Sequence, residues 1–251
     1  MSQRATTIYN IKGLKKSFGN QPILNIRQLE IHRGTIYGMI GPIGSGKSTL
    51  LNILAGVTKQ TDGTVKFENE VFQTNWLGKI KQNPEIALAN ISSISNGSTV
   101  SDVVKTIDKN RLEKRTSAYF KNESMAGLLK RKLNDLSPGE LAILNMIIAL
   151  ESDPRVLMID DYGVFFDKNM EMDFRKKIIR MNKDLGTTII LAAPSDLHIK
   201  RVASVLIYLD NGHISKIRSG VAKTPKKYTK SSNDKKDVKS KRFNSKKRTN
   251  R

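Results

Sequence analysis

Apolar residues follow two different periods along this chain, and the order in which the periods alternate sets out its architecture. Three near-continuous apolar runs, TIYGMI (35–40), RVLMI (155–159) and TTIILAA (187–193), are bounded by polar or turn residues. Runs of that kind predict short strands covered on both faces, as in a parallel sheet. Leu50, Ile53, Leu54 and Val57 then recur at helical spacing, with Gly56 near the stop, so a helix follows the first run directly. Another helix is expected over 168–185, between the second and third runs.

The remaining segments carry other patterns. Residues 8–40 predict short strands broken by turns at Gly13, Gly19–Asn20 and Arg33–Gly34, and 63–91 returns to strand patterning with a turn centred on Asn69. VLIYLDNGHISKI (205–217) predicts a β-hairpin about Asn211–Gly212, a dipeptide suited to positive φ at both central positions. Val100, Val103, Val104, Ile107, Met125, Leu128 and Leu129 shift the period to helical, which predicts a mostly helical insertion over about 92–150. Residues 1–220 thus read as one α/β domain. Residues 221–251 are rich in Lys, Ser, Thr and Asn, cannot bury enough surface to order themselves, and are expected to form a disordered tail.

Composition excludes several classes. No apolar run approaches the ~18 residues that span a bilayer, and the opening MSQRATTIYN lacks the apolar core of a leader. The absence of cysteine excludes disulfides and thiolate metal sites. A cytoplasmic protein is the expectation. The formal charge of +21 is uneven: residues 221–251 hold ten Lys, three Arg and two Asp, a net +11. Lys105 to Lys132 holds nine basic and three acidic residues, a net +6. Charge of this sign implies an anionic partner such as nucleic acid, acidic lipid or nucleotide.

Candidate chemistry begins where the first apolar run ends. The stretch Gly41, Pro42, Ile43, Gly44, Ser45, Gly46, Lys47, Ser48, Thr49 contains G-x-x-x-x-G-K-[ST], with a strand before and a helix after. Glycines let the backbone curl so that N–H groups converge on phosphate oxygens, and the following helix adds its positive end. Lys47 would reach the β and γ phosphates, and the Ser48 hydroxyl would ligate Mg²⁺. Asp160, closing the second run, is the candidate for the second metal ligand, emerging beside the phosphate loop of a neighbouring strand. The fold expected is α/β: a P-loop NTPase core with a parallel sheet, an antiparallel β subdomain, a helical insertion and a disordered basic C-terminal tail. LSPGE (136–140) is a helix start on local chemistry alone, with Ser137 at N-cap, Pro138 at N1 and Glu140 at N3.

In this order the pieces resemble the nucleotide-binding subunit of ATP-binding cassette (ABC) proteins, over residues 8 to about 217. The resemblance implies ATP and Mg²⁺ as cofactors and Phe18 as the aromatic that stacks on adenine. LSPGE stands where that family usually has LSGGQ, so Ser137 and the N–H of Gly139 would meet the γ-phosphate of a nucleotide held by a second cassette, identical or not. The helical insertion would dock on a separate membrane permease subunit, which implies a peripheral position at the inner face of the plasma membrane. Asp161 stands where the family has its Glu general base, and with Lys47 it is the catalytic candidate.

Departures from the family pattern are as informative. Asp161 keeps the carboxylate but is one methylene shorter, so its hold on a water differs. Ile91 stands where a Gln is expected and has no polar atom to contact metal or water, and Pro194 or Ser195 stands where a His is expected and neither can do what an imidazole does for the γ-phosphate. Pro138 removes an N–H from the anion-binding helix start, and the Glu140 carboxylate is expected to repel the phosphate. His198 is set for a helix start or for rescue of the missing imidazole, and His213 for a surface position. Three functional readings stay open: a transporter subunit with slow hydrolysis, a non-hydrolysing ATP switch, and an RNA- or ribosome-associated cassette using residues 221–251. That tail also suits anionic lipid.

Overall fold

The computed structural model describes residues 6–89, 98–105, 109–120 and 125–220. Ile91, Ile107 and the basic tail lie outside the described residues.

Strands β1 (Thr7–Phe18), β2 (Gln21–His32), β4 (Asp62–Phe67) and β5 (Glu70–Val71) form an antiparallel sheet in the order β2-β1-β4-β5. Gly13, expected to break a strand, sits inside β1 at φ 59, where the pairing with β4 shifts register between Lys12 and Lys15. Glycine here serves a bulge that re-aims the strand, not a turn that ends it. Glu68 and Asn69, both at positive φ, make the turn expected in FENEVF. Between β5 and β6 (Ile86–Ala89) strand patterning fails and only the bridge Thr74–Ile80 forms. The Asn75 carboxamide oxygen accepts from Leu77 N–H and Lys79 N–H at 3.0 and 2.9 Å, giving the backbone an alternative to a ladder.

The second sheet has the order β10-β9-β3-β8-β7-β6, where β3 is Ile36–Ile40, β7 Val156–Ile159, β8 Thr188–Ala193, β9 Val205–Asp210 and β10 His213–Ser219. Neighbouring pairs from β9 to β6 are parallel, and β10 returns antiparallel to β9 through Asn211 and Gly212, both at positive φ. The three apolar runs became β3, β7 and β8, each fully buried. Their alternate residues feed two separate cores. Tyr37, Met39, Met158 and Ile190 face Leu50, Leu51, Ile53 and Leu54 of α1 (Lys47–Leu54) and the inner face of the antiparallel sheet. Ile40, Ile159 and Leu191 face the other way.

That second face is covered by α5 (Pro138–Glu151) and α6 (Lys168–Leu185). The helical insertion is not one run but α2 (Val100–Val103), α3 (Lys109–Tyr119), α4 (Met125–Lys130) and a 3-10 turn at Leu133–Asp135. Val100, Leu112, Leu128 and Leu133 join the α5 core, so the helical period holds while its continuity does not. A capping box at Thr99 and Asp102 starts α2, and the run breaks where α2 ends at its C-cap Val104, before α3 begins at Lys109. α6 matches its expected bounds, opened by Asp167, whose carboxylate accepts from Asn169 and Met170 N–H, and closed by Gly186 at φ 70.

Gly38 marks the tightest point of β3. A Cβ there would lie 2.1 Å from Ile199 Cγ2 and 2.9 Å from Leu206 Cδ2. Gly38→Ala is therefore expected to cost about 1–3 kcal/mol through overpacking. Urea unfolding should show a lower midpoint at an unchanged m-value.

Candidate functional site

Three strand ends meet at one edge of the parallel sheet. Ile40 is level with Ala193, and Ile159 with Leu191, so the segments after β3, β7 and β8 emerge together. Ligands bind at such carboxyl ends in open α/β sheets. Asp160 does not leave a strand next to β3, as the sequence suggested, because β8 lies between β3 and β7. The Ser48 hydroxyl nevertheless donates a hydrogen bond to the Asp160 carboxylate across that gap. The reach comes from α1, which carries Ser48 at its second residue.

The phosphate loop is held on several sides. Gly46 caps α1 at φ 97, a left-handed conformation that favours glycine, with Leu24 Cδ2 only 2.6 Å from where a Cβ would sit. At Gly41 a Cβ would lie 2.1 Å from the Leu209 carbonyl oxygen. Gly212 N–H donates to the Ser45 carbonyl at 3.1 Å, and Asn25 N–H donates to the Gly212 carbonyl at 2.9 Å. The β9–β10 turn therefore clamps the loop against the start of β2. In the sequence Gly212 shows only as a hairpin glycine; its role at the loop comes from tertiary packing.

Lys47 is buried, and its ammonium donates to the carbonyls of Gly41 and Pro42 at 2.7 and 2.9 Å and to Ser45 Oγ at 3.4 Å. Burial pushes its pKa down, opposed by the Asp160 and Asp161 carboxylates. Burial pushes the Asp160 carboxyl up, partly offset by the Ser48 hydrogen bond, while the Asp161 charge raises it further. Two carboxylates, a hydroxyl and an ammonium thus share one small region. Ser48, Asp160 and a nucleotide's phosphates suit Mg²⁺, which takes one or two carboxylates plus phosphate oxygens and keeps several waters. Among the described residues no group of three or more His, Cys, Asp or Glu could hold a metal without such a ligand.

Asp161 is exposed and lies at φ 50, an uncommon conformation for a residue with a Cβ. Its N–H donates to Asp160 Oδ1 at 3.1 Å, and Tyr162 N–H donates to the Ala192 carbonyl at 2.8 Å. Phe18, at the end of β1, is 55% exposed with the Lys16 ammonium 4.6 Å from its ring centroid. Lys16 also donates to the Lys59 carbonyl, which holds the cation over one face of the ring. Ile43, Gly44, Ser48, Pro194 and Ser195 are exposed at the same edge; Thr49 is half-buried. His198 begins a 3-10 turn without a capping hydrogen bond, and its ring lies 2.8 Å from where a Gly163 Cβ would sit. His213 is exposed in the hairpin.

LSPGE starts α5 with the expected capping box: Ser137 Oγ accepts from Glu140 N–H at 3.3 Å, and Glu140 Oε2 accepts from Ser137 N–H at 2.8 Å. The expected repulsion by Glu140 needs correction. Arg131 donates to both Glu140 carboxylate oxygens, at 2.8 and 3.4 Å, and to the Asp135 carbonyl at 2.7 Å. The Arg131 guanidinium and the Ser137 N–H hold the Glu140 carboxyl down to about 2. Its charge is turned toward the insertion and largely offset. Arg131, nine residues upstream, gives no sequence signal for this pairing. A Cβ added at Gly139 would meet nothing within 4 Å, and the residue has no positive φ. Neither internal packing nor backbone geometry requires glycine there.

Fold and site together define a P-loop nucleotide-binding domain with a second, antiparallel sheet and a helical insertion. The chain belongs to the ABC transporter family, whose profile matches residues 24–162. It is an ATP-binding cassette of that family. Its relatives include the tungstate uptake system ATP-binding protein TupC of Peptoclostridium acidaminophilum, 24% identical over 81% of this chain and 95% of that protein. The lantibiotic transport ATP-binding protein SrtF of Streptococcus pyogenes is 28% identical over 81% of this chain and 87% of its own length. In fold it resembles the dimeric post-hydrolysis structure of the ATP-binding cassette MJ0796 bound to ADP and Pi, with a TM-score of 0.66 over 84% of this chain and 98% of that one at 20% identity.

Two outcomes follow from the geometry of LSPGE. Gly139→Ala should leave stability unchanged or raise it by up to about 1 kcal/mol, since alanine favours a helix, yet weaken ATP-dependent pairing of cassettes in analytical ultracentrifugation. The depressed Glu140 carboxyl contributes stability above the ordinary carboxylate range, near 4.3, and that contribution is lost as pH falls toward about 2. Thermal melts should therefore show a margin of wild type over Glu140→Gln that is constant from neutral pH to about 5 and shrinks below it, its size limited to roughly 0.5–1 kcal/mol by solvent screening.

Proposed function

We propose that this chain is the cytoplasmic ATP-hydrolysing subunit of a transporter, working as a pair of cassettes on a separate membrane permease. The observation that carries this reading is the Ser48–Asp160 hydrogen bond beside buried Lys47 at one sheet edge. Those groups are the ones a nucleotide triphosphate with Mg²⁺ requires: an ammonium for phosphate charge, and a hydroxyl and a carboxylate for the ion. No helix among the described residues is long and apolar enough to cross a membrane, so the translocation path is assigned to a partner.

In this reading the backbone N–H groups of Gly44, Gly46 and their neighbours bind the phosphates, and Lys47 leaves the Gly41 and Pro42 carbonyls to meet them. Phe18 offers its free face to the adenine, with Lys16 behind it. Ser48 and Asp160 would hold Mg²⁺, which when bound would supply neutralisation of charge developing on the phosphates. Asp161 takes a proton from the attacking water as general base, at a distance set by its short side chain and by the Asp160 Oδ1 hydrogen bond. Ser137 and Gly139 of one cassette close over the nucleotide of the other. For Ser137 this means exchanging a hydroxyl bond, since its O–H donates to Glu140 Oε2 at 2.8 Å. Slow turnover is the consequence of that exchange and of the Asp161 reach. The insertion α2–α4 faces the permease at the inner side of the plasma membrane. The 221–251 tail, with its net +11, adds attraction to anionic lipid or RNA.

Steady-state ATP hydrolysis of the full chain tests this reading. Asp161→Asn should abolish turnover, and Asp161→Glu should raise kcat roughly tenfold by restoring the longer reach. Turnover absent in wild type and Asp161→Glu alike would leave only ATP-driven closure as a switch, whereas turnover undiminished in Asp161→Asn would keep hydrolysis and remove Asp161 as its base. Purification from cells should bring a polytopic membrane protein with it; its consistent absence would remove the permease assignment.

A further inference from the structure

Behind the Asp160–Asp161 strand end lies a cavity of ≈ 40 Å³ that no part of the nucleotide reading uses. Its walls include Asn145 of α5, Asp160, Asp161, Phe165 and Phe166. Asn145 is 7% exposed, and its Nδ2 is fully enclosed without a hydrogen-bond partner among the described residues. The surrounding helix face is apolar: Leu144, Met146 and Ile147 are all buried. A carboxamide at such a position is costly unless its N–H groups are satisfied. The cavity exceeds the ~10–15 Å³ that one water needs and supplies the polar partners that a water requires.

We propose that Asn145 is a positioning residue for hydrolysis: its Nδ2 donates to a water held in this cavity, and that water donates to the Asp161 carboxylate and fixes its orientation. The idea rests on Asp161 being the general base. A short carboxylate on an exposed, left-handed residue has little packing of its own to hold it, and the enclosed side of the strand end is where support is available. Phe165 and Phe166 line the same cavity. Asn145 touches neither nucleotide nor metal in this arrangement; it acts through the bridging water.

A crystal structure of the full chain should show an ordered water within about 3 Å of Asn145 Nδ2 and of the Asp161 carboxylate. Asn145→Leu, which replaces the amide by an apolar group of similar shape, should lose that water, keep its melting temperature and its KM for ATP, and lower kcat roughly tenfold. Asn145→Ser, which restores a donor, should recover part of kcat; Asn145→Ala serves the comparison if the leucine variant does not fold. A dry cavity in the wild type, or unchanged kcat in Asn145→Leu while Asp161→Asn is inactive, would overturn the proposal and leave the general base in place. Full turnover in Asp161→Asn would instead remove the base itself.

Discussion

Helix α1 has apolar neighbours on two opposite sides, and the nucleotide end of the molecule is arranged around that fact. Leu50, Leu51, Ile53 and Leu54 are each at most 1% exposed, packed between the parallel sheet and the antiparallel one. Each such side chain contributes roughly 1.5–3 kcal/mol of burial, so the helix cannot rotate or slide without losing much of the domain's net stability. Its first residues are then fixed in position. Lys47 and Ser48 sit where the strand end β3 and the Asp160 carboxylate meet because the rest of α1 has nowhere else to go. The Tyr9 hydroxyl, donating to the Leu54 carbonyl at 2.9 Å from within the antiparallel sheet, anchors the far end of the same helix.

The opposite face of the parallel sheet has a different task. α5 both covers that face and presents the LSPGE start, so the core and the candidate partner-sensing segment share one rigid element. Tyr162, Phe166 and Phe174 pack as an aromatic chain, with ring centroids 5.7 and 4.9 Å apart, and steady the segment that follows Asp161. The Tyr162 hydroxyl reaches buried Glu171 at 3.3 Å. These contacts and the strand before it fix the backbone around Asp161, while its carboxylate stays exposed. Local helix chemistry at LSPGE is complete within the chain, since Ser137, Glu140 and Arg131 satisfy one another. In the proposed pairing of cassettes, a partner's phosphate would compete with those bonds, so the cap and the proposed sensing role oppose each other.

Much of the fold is legible in the sequence because buried strands and amphipathic helices leave periodic marks. The runs that became β3, β7 and β8, the 168–185 helix, the Asn211–Gly212 hairpin and the capping box at Ser137 all follow from local rules. Local rules fail where one pattern has two outcomes. Gly13 could end a strand or bulge it, and only pairing with β4 on one side and β2 on the other chose the bulge. The helical period from Val100 does not reveal that α2 stops after Val103 and that α3 starts separately at Lys109. Charge is the other weak point. Glu140 reads as a repulsive carboxylate because Arg131 is distant by helical spacing, and a fold in the insertion brings the two together.

The class of chemistry is legible in the sequence alone, because the nine consecutive residues from Gly41 to Thr49 carry the phosphate-loop pattern between an apolar run and a helix. The order of apolar runs likewise dictates a parallel sheet, because strands without a polar face must be covered on both sides. How groups distant in the chain act on one another was set in three dimensions. Packing placed β8 between β3 and β7 yet let Ser48 reach Asp160, set Gly212 against the loop, turned Glu140 toward Arg131 and enclosed Asn145 beside Asp161. Each of these depends on elements far apart in sequence, and a pairwise interaction between distant side chains leaves no periodic trace in the chain that encodes it.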